Sequence, residues 1–197
     1  MSDSETLLAE DPIVILSGVK PPATIYVAPL SKVEHTIASR AVSHLVTLIN
    51  NDTPVPTPAS IAKERHLRLA MNDICEPADG LVLPGEHHVA ELVRFTLDWH
   101  RAAPLLIHCW AGISRSTASM FMALCKLNPG VSEVAILKRM RALAPHIAPN
   151  RLLVAHADDL LGRDGRMVDA LDEIGPAIPA SEGFLFELPA AITQADL

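Results

Sequence analysis

His108-Cys109-Trp110-Ala111-Gly112-Ile113-Ser114-Arg115-Ser116 lies between a short apolar run, Leu105-Leu106-Ile107, and a long one, Ala118 to Leu127. The short run predicts a strand, the long run a helix, and the residues between them a tight loop. Backbone amides of such a loop, followed by the first turn of a helix, form a concave anion site, because unpaired N–H donors and the positive end of the helix dipole face inward. Phosphate is the guest that suits this chemistry. Cys109 at the start of the cradle is held in positive potential that favours its thiolate, and Arg115, six residues on, can fork onto two phosphate oxygens. Gly112 permits a backbone conformation closed to other residues and a close approach to the anion. The expected phosphate-binding residues are therefore Trp110, Ala111, Gly112, Ile113, Ser114 and Arg115.

Working upstream, Leu67, Leu69 and Met71 alternate with polar or small residues and predict a strand that delivers Asn72-Asp73 to its C-terminal end. Ligands of open α/β sheets lie beyond the carboxyl ends of the strands, the edge from which Cys109 emerges. Ile74 to Gly85 carries Pro77, Gly80 and Pro84 without periodicity, and reads as a loop able to move over a site. Cys75 on that loop reads as a buried, inert thiol. Val89, Leu92, Val93, Thr96 and Leu97 form a helical face, ended by Pro104. Leu45 to Ile49 predicts a buried strand, and Asn50 to Pro58 a loop. Ser31-Lys32-Val33-Glu34 has the capping-box spacing, so a helix is expected from there to about Ser43, with Val33, Ile37 and Ala41 inward. Thr24 to Val27 and Ile13 to Leu16 predict two further short strands.

Downstream, Ala118 and Met120 to Leu124 leave the helix after the loop apolar nearly all round, as the buried centre of a layer requires. Ser132 is placed to cap a helix with Ile136, Leu137, Met140 and Leu143 on one side and a solvated Lys138, Arg139 and Arg141 face on the other. Asn150 is placed to cap another, with Leu153, Ala157, Leu160 and Leu161 inward, and Met167, Val168, Leu171 and Ile174 predict a last short helix. The chain divides into an acidic tail, residues 1–11, a single domain, residues 12–175, and a segment, residues 176–197, with no readable pattern.

Composition bounds the partners. The 197 residues are 49% hydrophobic but only 4% aromatic, which predicts one aliphatic core. A net charge of −7 argues against nucleic acid or an anionic membrane surface as a standing partner. There is no apolar run of about 18 residues, and the acidic start is unlike a secretory signal, so a cytoplasmic protein is expected. Cys75, Cys109 and Cys125 are an odd count that suits free thiols. The nine histidines form no HExxH and there is no Cys-x2-Cys, so neither metal nor cofactor is expected.

His108 through Ser116 matches the form HCxxGxxRS/T, and the chain resembles a compact, bacterial-type member of the cysteine-dependent protein tyrosine and dual-specificity phosphatases. Met71-Asn72-Asp73 is similar to the segment carrying that family's general acid, with Asp73 placed 36 residues before Cys109. Ile147-Ala148-Pro149-Asn150 is similar to the Ser-Pro-Asn turn of compact dual-specificity members. The resemblance covers about residues 66–161. It implies a three-layer αβα fold of class α/β, with a central, mostly parallel sheet of four to five strands flanked by helices.

The resemblance also implies metal-independent phosphomonoester hydrolysis, in which Cys109 attacks phosphorus and water then cleaves a phosphocysteine intermediate. An ordinary cysteine, of pKa about 8.5, is only about 3% thiolate at pH 7, so complete ionisation gains only about 30-fold. Most of the acceleration therefore falls to positioning and to charge stabilisation by the loop amides and Arg115. Asp73 is implied as the acid that protonates the leaving oxygen and then activates water, with Asp79, 30 residues before Cys109, as its rival. Ser116 is expected to donate to the thiolate, His108 to brace the loop, and Asn150 to support it, while Trp110 either lines the pocket or packs into the core. The loop interior carries no lysine, unlike phosphoinositide-specific members, and Tyr26 is the only tyrosine, so no tyrosine-bearing recognition loop is present. A phosphorylated protein, a small soluble phosphorylated molecule such as a nucleotide or inositol phosphate, and an RNA 5′ end all stay open as substrates, with a non-catalytic phosphate-binding module as the alternative of another class.

Overall fold

The central strand of the sheet is also the least exposed. In the computed structural model, which describes residues 23–197, Leu105–Cys109 (β4) is buried along its whole length. The expected tail at residues 1–11 and the expected strand at Ile13 to Leu16 lie outside the described residues. Thr24–Pro29 forms β1, His44–Leu48 β2, His66–Leu69 β3 and Phe186–Pro189 β5, in the spatial order β3-β2-β4-β1-β5. Neighbours among β1 to β4 are parallel, and β5 runs antiparallel to β1. A strand covered on both faces needs no polar alternation, which is why Leu105-Leu106-Ile107 reads as a continuous apolar run.

Alternate residues of these strands serve two cores. Leu106, Leu45, Tyr26 and Ala28 face the helix Val33–Arg40 (α1), packing with Val33 and Ile37. Leu105, Ile107, Val46, Leu48, Ile25 and Val27 face the other layer. That layer holds Glu86–Asp98 (α2), Arg115–Leu127 (α3), Glu133–Leu143 (α4), Arg151–Leu161 (α5) and Arg166–Ile174 (α6). The three-layer α/β architecture with a mixed five-stranded sheet is the one expected. In α3, 11 of 13 residues are buried, as its all-round apolar sequence requires.

Local departures have local causes. Ser31 does not cap α1; its hydroxyl donates to Glu182 Oε1 at 3.0 Å, and a 3-10 turn, Leu30–Lys32, leads into a helix that ends at Arg40, before an exposed Ala41 with φ of 50°. Leu97 and Leu160 point outward, 54% and 51% exposed. Trp99, just past α2, fills the core in place of Leu97 and donates its indole N–H to Ala103 O at 2.9 Å. Arg141 is not on a solvated face: it donates to Pro176 O at 2.7 Å and Ile147 O at 2.9 Å, tying the end of α6 to the turn before α5. Cys75 is exposed rather than buried. Residues 176–197 supply β5, whose buried Phe186 and Leu188 flank an exposed Glu187, a short alternation that the sequence reading passed over.

Candidate active site

Strand β4 and helix α3 meet at the loop 110–114, whose carbonyl groups are held by segments from distant parts of the chain. Leu30 N–H donates to Trp110 O at 3.0 Å, Gly183 N–H to Ala111 O at 2.8 Å, Ala148 N–H to Ile113 O at 3.0 Å and Asn150 N–H to Ser114 O at 3.4 Å. In a trans peptide the carbonyl and the next N–H point in opposite directions. Pinning the carbonyls outward therefore turns the following amides inward, and among the described residues none of the N–H groups of 110–114 donates a hydrogen bond. Gly112 has φ of 70°, and a Cβ there would lie 2.7 Å from Pro29 N, so both backbone conformation and packing on β1 demand glycine.

Side chains of the same stretch add further hydrogen-bonding groups. Cys109 is 1% exposed, with Sγ 3.1 Å from Ser116 Oγ. A thiolate can only accept, so in that state the Ser116 hydroxyl is the donor. Arg115 is buried and donates Nη1–H to Met71 O at 2.8 Å. Its Nε is buried with no hydrogen-bond partner among the described residues, and its charged neighbour is the Asp73 carboxylate, 3.7 Å away, so it can turn to a ligand without breaking a hydrogen bond.

Asp73 reaches the same place from the end of β3. Its Oδ1 accepts from Ser114 Oγ at 2.7 Å and from Asn150 Nδ2 at 2.9 Å, while Oδ2 lies 3.7 Å from Arg115 Nε. The carboxylate is 37% exposed, open to an incoming molecule. Asn150 works at both ends, because its Oδ1 also accepts from Leu153 N–H at 3.0 Å and caps α5. Asp79 is exposed, with no hydrogen bond or ion pair among the described residues. The loop that carries both aspartates is tied at its neck, where Asn72 N–H donates to Val82 O at 2.8 Å and Val82 N–H to Asn72 Oδ1 at 2.9 Å.

His108 is fully buried, with Nδ1 3.3 Å from Cys109 O and Nε2 2.7 Å from Thr47 Oγ1. Burial pushes its pKa down to about 4, against the pull of the Cys109 carbonyl, and the neighbouring His66, Arg68 and Arg115 add to the depression. The ring is neutral at pH 7. Trp110 is 57% exposed, which places it at the rim of the loop and not in the core. Phe184, next to Gly183, and Leu81 and Val82, on the Asp73 loop, are also exposed.

Sequence reasoning missed Gly183, Thr47 and His66. Thr47 left a trace, as the one hydroxyl in the apolar run Leu45 to Ile49, but Gly183 left none, since its contact with Ala111 spans most of the second half of the chain.

By sequence the chain matches no family model and no curated protein. By structure it is similar to DUSP15, with a TM-score of 0.56 and 20% identity over 81% of this chain and 96% of that one. It is similar also to the Cydia pomonella PTP-2 phosphatase, with a TM-score of 0.53 and 17% identity over 68% of this chain and 84% of that one. A mouse putative dual specificity phosphatase complexed with zinc tungstate aligns with a TM-score of 0.52 and 16% identity, over 80% of this chain and 97% of that one. The chain thus takes the fold of the cysteine-dependent protein tyrosine and dual-specificity phosphatases.

Proposed function

We infer that the chain hydrolyses phosphomonoesters through a phosphocysteine intermediate, without a metal ion, as a phosphatase of the dual-specificity type. The observation that carries this reading is the ring of donors that follows Cys109, the amides of 110–114 and Arg115 Nε, none of which makes a hydrogen bond among the described residues. A phosphoryl group seated there gives its equatorial oxygens to the amides and to the guanidinium. The Cys109 thiolate attacks phosphorus, the ester P–O bond breaks, and the leaving oxygen takes a proton from Asp73. Oδ1 accepts from Ser114 and Asn150, so Oδ2 is the oxygen that carries this proton, once the phosphoryl oxygens have taken over its Arg115 Nε ion-pair partner. In the second step water attacks phosphorus, Asp73 takes its proton, and the Ser116 hydroxyl stabilises the departing thiolate as inorganic phosphate forms.

An uncharged loop interior and an apolar rim of Trp110, Phe184, Leu81 and Val82 favour a monophosphate on an aromatic or peptide carrier over a polyphosphorylated one. Phosphorylated protein is accordingly the proposed substrate class. We assign catalysis to a single unit that includes β5, in a cytoplasmic protein; among the described residues no helix is long and apolar enough to cross a membrane. The test is hydrolysis of p-nitrophenyl phosphate in EDTA. Activity abolished by Cys109→Ser and inhibited by vanadate is the expected result. Vanadate binding with no turnover by the wild-type chain would overturn it in favour of a phosphate-binding module.

A further inference from the structure

Behind the loop, four side chains form a continuous line. Thr57 Oγ1 lies 2.8 Å from His66 Nδ1, His66 Nε2 lies 2.8 Å from Thr47 Oγ1, and Thr47 Oγ1 lies 2.7 Å from His108 Nε2. His108 Nδ1 closes the line on Cys109 O at 3.3 Å. Thr47, His66 and His108 are buried, and both rings are neutral, because burial pushes each pKa down to about 4 and Arg68 opposes a proton on either.

Neutral rings and single-proton hydroxyls leave one arrangement. The Cys109 carbonyl only accepts, so His108 carries its proton on Nδ1 and presents a lone pair at Nε2. Thr47 must donate its only hydroxyl proton there, and can then only accept from His66. His66 is therefore protonated on Nε2, and its Nδ1 accepts from Thr57. The two histidines hold opposite tautomers, and every donor in the line points towards Cys109.

We propose that Thr47 and His66 are positioning residues for the phosphate loop, acting through the tautomer of His108 on the Cys109–Trp110 peptide. Holding the Cys109 carbonyl towards His108 turns the Trp110 N–H the opposite way, into the ring of donors. The line does for the first amide of the cradle what Leu30, Gly183, Ala148 and Asn150 do for later ones. It deepens the proposed phosphatase reading and rests on it for its kinetic consequence, while its proton arrangement is independent of any activity.

The experiment is two-part. In 15N-labelled wild-type protein at pH 7, imidazole nitrogen shifts are expected to show His108 as the Nδ1–H form and His66 as the Nε2–H form. The same tautomer in both rings, or a charged His66, overturns the proposal whether or not the protein is a phosphatase. Thr47→Val removes the hydroxyl at nearly constant shape, and is expected to lower kcat on p-nitrophenyl phosphate about 10-fold with KM within about twofold, while Thr47→Ser restores most of the loss. Unchanged kcat in Thr47→Val also overturns it. A wild-type chain with the expected tautomers but no turnover overturns the phosphatase reading and the kinetic consequence, and leaves the proton arrangement standing.

Discussion

The two sides of the loop 108–116 are built on different principles. Its inner side is chemistry that is contiguous in sequence: Cys109, the amides that follow, Arg115 and Ser116 lie within eight residues. Its outer side is held by Leu30, Thr47, Ala148, Asn150 and Gly183, which no local pattern connects. The inner side supplies the donors and the outer side aims them, so damage inside should remove catalysis and damage outside should only detune it.

The largest effects test the inner side. Cys109→Ser is expected to reduce kcat at least about 10⁴-fold, because an unactivated hydroxyl replaces the nucleophile. Arg115→Lys is expected to lose about 10³-fold, nearly as much as Arg115→Ala, since a lysine keeps the charge but not the fork. Steady-state kinetics on an aryl phosphate reads both, and an Arg115→Lys enzyme within tenfold of wild type would place the transition-state charge elsewhere. Asp73→Asn comes next, with an expected loss of about 10²-fold or more on a poor leaving group and much less on p-nitrophenol. Asp79→Asn is expected to change neither, because Asp79 is exposed and makes no hydrogen bond or ion pair among the described residues.

This division explains how much was legible. The strand, loop and helix around Cys109 follow from local periodicity, and Asp73 could be placed because parallel strands end at a common edge. The Asn150 cap of α5 is equally local, though its second hydrogen bond, to Asp73, is not. Arg141 was misplaced because an amphipathic pattern registers charge and cannot register carbonyl groups 34 residues away at the end of α6. The unpatterned C-terminal segment turns out to carry both β5 and Gly183, and its importance is written only in what it touches.

The buried histidines behind the loop predict an acid-sensitive fold. The folded state keeps His108 and His66 neutral down to about pH 4, whereas unfolded histidines take up protons near pH 6.5. Between those values the unfolded chain binds more protons, so stability falls as pH drops from about 6.5 to about 4, and this contribution levels off below. For His108, fully buried, the loss amounts to about 3 kcal/mol. Urea midpoints across that range measure it, and His66→Gln is expected to flatten the slope.

The smallest effect is the sharpest test of the outer side. Gly183 has no part in the chemistry, yet its N–H holds the Ala111 carbonyl, and by the trans peptide that carbonyl sets the direction of the Gly112 amide. A Cβ at Gly183 would clash with His146 Nε2 and fall 3.1 Å from Gly112 O. The His146 ring is buried, stacked edge-on against Phe184 at 4.5 Å, so it has little room to swing aside. Gly183→Ala must instead displace its own segment, lengthening the bond to Ala111 and freeing the Gly112 amide to rotate. The expected result is about a 10-fold fall in kcat/KM, with weaker vanadate inhibition and unaltered alkylation of Cys109 by iodoacetamide, because nucleophile and aim are separately held. Slower alkylation in parallel with the lost turnover would show that the two sides of the loop are one device after all.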